Sequence, residues 1–200
     1  MEFQYTTERL ILRDFIPEED APILQGYLSD KELAWQSIAM PHPLPEGTAL
    51  QYINNYQRFR KEGVSTWFAV TLKENNQFIG ITGLIHYTEH KKAHVGYSLG
   101  RQYWGKGYAT EAAKKMLEVG FKDLGLNRIG GTVYADNENS LKVMSRLGLK
   151  REGTWRSDFI KWGEVRDVAF FGLLKEEYEE MMAKEKEKEE LLVKEKEEQK

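Results

Sequence analysis

The chain is 200 residues long and is 40% hydrophobic, 30% charged and 12% aromatic, the composition of a water-soluble folded domain rather than a collagenous or wholly disordered chain. No apolar run reaches the roughly 18 residues of a membrane span, Met1-Glu2-Phe3-Gln4 is not a basic, apolar secretory start, and the lack of cysteine excludes disulfides, thiolate metal sites and cysteine nucleophiles, so the expectation is a cytoplasmic protein with no membrane partner. Within the formal net charge of −3, residues 176–200 hold 11 acidic and 6 basic side chains, which leaves a body of +2, too near neutral to suggest direct DNA or RNA binding.

Leu10 and Leu12 alternate against Arg9, Ile11 and Arg13, which predicts a strand over residues 7–13, and Pro17-Glu18-Glu19-Asp20 then leads into a helix from near Glu18. Pro41, Pro43 and Pro45 keep residues 40–47 out of helix, because each removes an N–H donor and biases its predecessor to extended geometry. Helical spacing returns at Leu50, Ile53, Tyr56 and Phe59 within residues 48–61, and Gly63 stops it. Residues 66–72, 78–85 and 93–99 read as three successive antiparallel strands, turned at Asn75-Asn76 and at residues 89–92. After a glycine-rich turn at residues 104–107, Ala112, Ala113, Met116, Leu117 and Phe121 mark a helix over residues 109–124, closed by Gly125. Residues 128–135 follow as strand, 139–147 as helix ending at Gly148, and 159–173 as at least one further strand. The class is α+β, with mixed strand pairing and helices packed on the sheet. Residues 1–174 form one domain, and residues 175–200 a Lys/Glu-rich tail, helical or disordered, whose apolar positions do not repeat as a coiled-coil seam requires.

The stretch Gln102-Tyr103-Trp104-Gly105-Lys106-Gly107-Tyr108-Ala109-Thr110 lies between a strand and a long helix. Glycines there let main-chain N–H groups approach an anion, and the helix start adds positive potential, a means of holding a pyrophosphate; a plain tight connection would use the same residues. A Rossmann turn is disfavoured, because Thr110 stands in place of the third glycine and Asp136 comes too late. A P-loop is disfavoured as well, since Gly105-Lys106-Gly107 lacks the magnesium-binding hydroxyl. His86, His90 and His94 recur every four residues, but their surroundings read as a hairpin rather than a ligand-bearing helix, so no metal is expected. Gly96-Tyr97-Ser98-Leu99-Gly100 satisfies a hydrolase nucleophile pattern, yet no histidine follows Ser98 to serve as its base.

Gln102 to Gly107 fits the pattern Gln/Arg-x-x-Gly-x-Gly/Ala, and in this the sequence resembles the GNAT superfamily of acetyl-CoA-dependent N-acetyltransferases. Further marks resemble its RimJ/RimL-type branch of ribosomal-protein N-terminal acetyltransferases: Thr7-Glu8-Arg9-Leu10-Ile11-Leu12-Arg13, Gly96-Tyr97-Ser98-Leu99, Tyr108-Ala109-Thr110-Glu111-Ala112, Asn137-Glu138-Asn139-Ser140 and Leu147-Gly148-Leu149. They occur in family order across about residues 7–172. The resemblance implies a largely antiparallel twisted sheet with helices on both faces and a splayed central strand pair. It implies acetyl-CoA as co-substrate, with main-chain groups of Tyr97, Ser98 and Leu99 meeting the pantetheine arm as an added strand would. Gln102, Trp104, Gly105, Lys106, Gly107, Tyr108, Ala109 and Thr110 would then surround the diphosphate, Asn137 would hydrogen-bond the pantetheine arm, and Ser140 would protonate the departing thiolate.

The implied chemistry is attack of a neutral amine on a thioester carbonyl, so a base or a relayed water must take a proton. An acidic residue often precedes the Gly-Tyr segment in the family; here it is His94, a base in its own right or a hairpin residue with no chemical role. Trp35, Trp67, Tyr134 and Trp155 are candidate walls of an acceptor groove, core packing being the plainer explanation for each. Branch resemblance points to a protein N-terminal α-amine, ribosomal or other, as acceptor, with a small amine or amine-bearing antibiotic as the alternative. A non-catalytic acyl-CoA-binding regulator, or an RNA-associated protein using Arg151, Trp155, Arg156, Lys161, Trp162 and Arg166, are the readings outside that chemistry. The expected assembly is a monomer or homodimer.

Overall fold

In the computed structural model, which describes residues 4–198, the chain builds one eight-stranded sheet in the order β1-β2-β3-β4-β5-β6-β8-β7. The strands are β1 (Tyr5–Thr6), β2 (Leu10–Arg13), β3 (Ser65–Leu72), β4 (Phe78–Tyr87), β5 (Lys92–Leu99), β6 (Arg128–Tyr134), β7 (Lys150–Lys161) and β8 (Glu164–Leu174). Every neighbouring pair is antiparallel except β5 and β6, which run parallel because helix α4 (Tyr108–Glu118) crosses over between them. Strands β3, β4 and β5 form the expected meander.

Period-two alternation divides the apolar side chains between two faces. Leu10, Leu12, Phe68, Val70, Val95, Ile129 and Val133 form one core with α4 and with α5 (Glu138–Arg146). On the opposite face Ala69, Phe78 and Ile81 pack beneath α1 (Pro17–Leu28), α2 (Lys31–Gln36) and α3 (Thr48–Lys61). Residues 40–47 form the expected non-helical connection, with Met40 and Leu44 tucked into this second core.

Three features differ from the sequence expectation. Helix α2 has only six residues, too few for an amphipathic period, and is set by the Asp30 carboxylate accepting the Leu33 N–H at 2.9 Å. Strand β7 begins at Lys150, well before the Phe159 at which the sequence places a further strand; it is an edge strand exposed along most of its length, and its register shifts twice, so the apolar alternation that marks a half-buried strand never develops. The helix after the glycine turn leaves α geometry at Glu118 and finishes as a π-helical turn, Val119–Asp123, which carries Phe121 into the core before Gly125 at φ +62° ends it.

The charged C-terminal segment continues as helix α6 (Lys175–Glu198). Its first turns belong to the packed body: Tyr178 is 3% exposed and stacks on Phe121 at 4.7 Å, Met181 lies against Gly148, and Lys114 reaches Glu185 at 2.8 Å. Among the described residues, no helix is long and apolar enough to cross a membrane.

Candidate active site

The parallel pair parts almost as soon as it forms. β5 and β6 are joined at Lys92/Arg128, Ala93/Ile129 and His94/Gly130, and the pairing stops there, leaving an opening through the sheet beside residues 95–99 and 131–134. Gly100 N–H bonds Ile79 on β4, so by alternation the main-chain groups of Tyr97 and Leu99 point the other way, into the gap. The Leu99 carbonyl is already met by the Trp104 indole N–H at 2.8 Å. The gap is therefore faced by the Leu99 N–H and by both main-chain groups of Tyr97, whereas those of Ser98 point toward β4.

At the open end of this gap lies the glycine turn. Gly105 and Gly107 take φ of +74° and +82°, values that side chains other than glycine seldom reach. Among the described residues, none of the main-chain N–H groups of residues 105–110 donates to another protein group. Six consecutive unpaired donors thus stand at the start of α4, where the helix dipole is positive. Gln102 and Lys106 are exposed, the Lys106 ammonium lying 5.8 Å from the Tyr103 ring centre, and Tyr108, Ala109 and Thr110 are half-buried in the first helical turn. An extended, amide-bearing chain ending in a diphosphate fits this pair of features: strand-type groups along the gap, then a nest of N–H donors for the anion.

Asn137 starts α5 beside the gap and is 6% exposed. Its Oδ1 accepts the Ser140 N–H at 3.0 Å and its Nδ2 donates to the Gln36 carbonyl at 3.2 Å, so the side chain caps one helix and braces another, leaving a single Nδ2 proton for a ligand. Ser140 lies next to Tyr97, whose hydroxyl is buried without a hydrogen bond. Burial pushes that phenol up to about 12, with Ser140 pulling weakly the other way, so it remains protonated. The sequence offered Tyr97 only as a main-chain contact; its burial, and the nearness of Ser140 some forty residues on, arise from the fold.

His94 sits at the point where the strands part, on the face opposite Tyr97 and Ser140 by strand alternation. Its ring fills the space a side chain on Gly130 would need, at 3.0 Å from an added Cβ, and meets the Tyr87 ring edge-on at 5.3 Å. Burial, then the charges of Lys92 and Arg128, lower its pKa below the ordinary 6.5. His86 instead bonds Thr66 and the Gly63 carbonyl, and His90 lies in the turn; no group of three or more potential ligands is placed to hold a metal among the described residues.

Trp67 shares the His94 face. Trp67, Gly83 and Gly96 are partners across three adjacent strands, and the indole lies over both glycines, where an added Cβ would come within 2.6 Å of it. Tyr56 stacks on its other side at 4.9 Å, so the indole is fixed in place with its far edge over Gly96 at the gap. Trp35 lies on α2 against Trp162 at 5.2 Å and the Arg166 guanidinium at 4.4 Å, one residue before Gln36, whose carbonyl Asn137 meets. Tyr134 is fully buried beneath Arg166 at 3.7 Å and offers no surface. Trp155 is exposed on β7, two strands beyond Tyr134, against Phe170 and remote from the gap. Of the four aromatic residues expected to wall a groove, Trp67 lies beside Gly96 at the opening, Trp35 lies at the end of α2 beside the Gln36–Asn137 contact, Tyr134 is buried and Trp155 is remote.

A protein whose sheet opens between two parallel strands, beside a nest of N–H donors at a helix start, is built to take an extended anionic carrier into its own sheet. A family profile described as acetyltransferase (GNAT) domain matches residues 9–150, and the chain belongs to that family of acetyl-CoA-dependent N-acetyltransferases. An uncharacterized N-acetyltransferase p20 of Bacillus licheniformis is 37% identical over 179 residues, covering 89% of this chain and 99% of that one. Among solved structures, a ribosomal-protein-S5-alanine acetyltransferase from Vibrio fischeri superimposes with a TM-score of 0.74 at 26% identity, covering 86% of this chain and 97% of its own. A ribosomal L7/L12 alpha-N-protein acetyltransferase in complex with coenzyme A shares the fold, with a TM-score of 0.76 at 17% identity over 85% of this chain and 96% of the other.

Proposed function

We propose that this acetyltransferase moves acetyl from acetyl-CoA to the α-amine of a protein N-terminus, in the cytoplasm. The observation that carries the cofactor's place is the run of unpaired N–H groups at residues 105–110, continuous with the strand opening at Tyr97 and Leu99. In this reading those donors, with Lys106 and the neighbouring Gln102 and Trp104, hold the diphosphate. The remaining Asn137 amide proton and the gap-facing groups of β5 hold the pantetheine arm.

The acceptor amine approaches from the face of His94 and Trp67. An α-amine has a pKa near 8 and is largely protonated at neutral pH, so His94, kept neutral by its surroundings, takes the proton. The free amine forms the C–N bond to the thioester carbonyl, the nitrogen of the tetrahedral intermediate releases its second proton to solvent, the C–S bond breaks as the amide forms, and the thiolate is protonated from the opposite face. Ser140 or the adjacent Tyr97 phenol supplies that proton. Trp67, locked over Gly83 and Gly96, gives the incoming chain a rigid apolar wall with little side-chain entropy left to lose. Kinship with ribosomal-protein acetyltransferases favours a peptide N-terminus over a small amine.

Thiol release measured over a panel of N-terminal peptides and small amines, with mass spectrometry to locate the added acetyl group, tests the proposal. Turnover concentrated on peptide α-amines is the expected result. Acetylation of small amines alone would overturn the acceptor assignment, and binding of acetyl-CoA without thiol release from any amine would overturn the catalytic one.

A further inference from the structure

The start of α4 carries a charge that works against anion binding. Glu111 lies in its first turn, where a carboxylate repels an anion held by the nearby N–H groups. Arg9 answers it. The Arg9 Nε donates to Glu111 Oε2 and the Arg9 main-chain N–H to Oε1, each at 2.7 Å, while Thr7 Oγ1 adds a bond of 2.6 Å to Oε1. Burial would raise the Glu111 carboxyl, but these hydrogen bonds outweigh it and hold the group ionised below its ordinary range.

The same guanidinium reaches past Glu111. Its Nη1 donates to the Lys106 carbonyl at 3.0 Å, and its plane rests 4.7 Å over the Tyr108 ring. In a planar trans peptide the carbonyl and the following N–H point in opposite directions. Drawing the Lys106 oxygen toward Arg9 therefore turns the Gly107 N–H to the far side, the side on which that donor is unpaired. A flipped Lys106–Gly107 peptide would instead place a carbonyl oxygen among the donors, where it repels an anion.

We propose that Arg9 is a positioning residue for the diphosphate loop, orienting the Lys106–Gly107 peptide with one arm of its guanidinium and neutralising Glu111 with the other. The proposal rests on residues 105–110 being the diphosphate cradle, as argued above. Arg9 lies some hundred residues from the loop in sequence, and it is the fold that brings the two together.

Steady-state kinetics with two acetyl donors separates this proposal from the reading beneath it. Acetyl-pantetheine lacks the diphosphate, so the wild type should show a far lower KM for acetyl-CoA than for acetyl-pantetheine. Arg9→Ala should raise the acetyl-CoA KM roughly tenfold or more, the size of a lost charge-assisted hydrogen bond, with the effect confined to the donor that carries the diphosphate. Arg9→Lys keeps the charge but cannot span Glu111 and the Lys106 carbonyl together, so it should move the KM in the same direction and decides the question if the alanine variant does not fold. Adding Glu111→Gln to Arg9→Ala should leave most of the loss in place. Wild-type discrimination between the donors in the folded Arg9 variants, or full recovery in the double variant, would overturn the positioning role. Equal KM values for both donors in the wild type would overturn the loop reading instead.

Discussion

His94 owes its proposed chemistry to burial and to neighbours on two strands: burial, then the Lys92 and Arg128 charges, depress its pKa, and Gly130 leaves room for its ring. A base must be unprotonated to act, so a depressed pKa keeps His94 competent to lower pH than a free imidazole, and the lower acid limb of the pH–rate profile should fall below 6.5. Lys92→Gln removes one of the repelling charges and should move that limb to higher pH; His94→Gln should abolish it and slow turnover. A limb unmoved in both variants would remove His94 as the base. The same depression has a sign for stability: between the folded value and 6.5 the unfolded chain takes up the proton first, so the group withdraws stability as pH falls through that window. The turn at Gly105 and Gly107 is legible from the amino-acid order alone, because its backbone requirement is local. The Tyr97 hydroxyl beside Ser140, the engagement of both ends of Asn137 and the reach of Arg9 to Lys106 are not, because each joins segments far apart in the chain.

Among the elements, the loop before α4 carries the sharpest expectation. Gly107 holds φ +82°, and a Cβ there would sit 3.3 Å from Arg9 Nη2, so Gly107→Val must distort either the turn or the bracing arginine, at a cost of about 1–3 kcal/mol for the backbone alone. A ligand at a hundred times its Kd stabilises the folded state by about 2.7 kcal/mol, and acetyl-CoA at such an excess should raise the melting temperature of the wild type by roughly 5–10 °C. That rise should vanish in Gly107→Val and persist in Gly153→Ala, where an added Cβ meets nothing within 4 Å. An undiminished rise in the valine variant would dissociate the turn from cofactor binding. Long elements with one apolar face, such as α3, α4 and the β3 to β5 meander, can be read from periodicity. Helix α2 and strand β7 cannot: one is shorter than the period that would reveal it, and the other buries too little of either face. A faint signal for α2 is present in Asp30 three residues before Leu33, the spacing of an N-cap.

For the whole molecule, the break in composition at residue 174 falls within packed structure. Ending the chain at Leu174 removes the buried Tyr178 and uncovers Phe121. Losing an aromatic of that burial costs about 3–5 kcal/mol, and the melting temperature should drop by roughly 6–20 °C. A chain ended after Lys186, which keeps Tyr178, Met181 and the Lys114–Glu185 pair, should melt within about 2 °C of the full length. Equal melting temperatures for the two truncations would show that α6 contributes nothing to the body. Tyr178, Met181 and Met182 already carry the spacing of a helical face in the sequence, but the run of Lys and Glu around them masks it.

The parted strands have a mechanical consequence. Three residue pairs are all the ladder that links the first five strands to the last three, so the two blocks meet at a hinge whose stiffness comes mainly from the helices laid across it. In the proposed binding mode, a carrier bonded along both lips of the opening would splint that hinge and damp the rocking of one block against the other. Since His94 and Trp67 ride on the first block while Asn137 and Ser140, at the start of α5, ride on the second, the proposed site would come into full alignment for an acceptor only on a molecule already loaded with its acetyl donor.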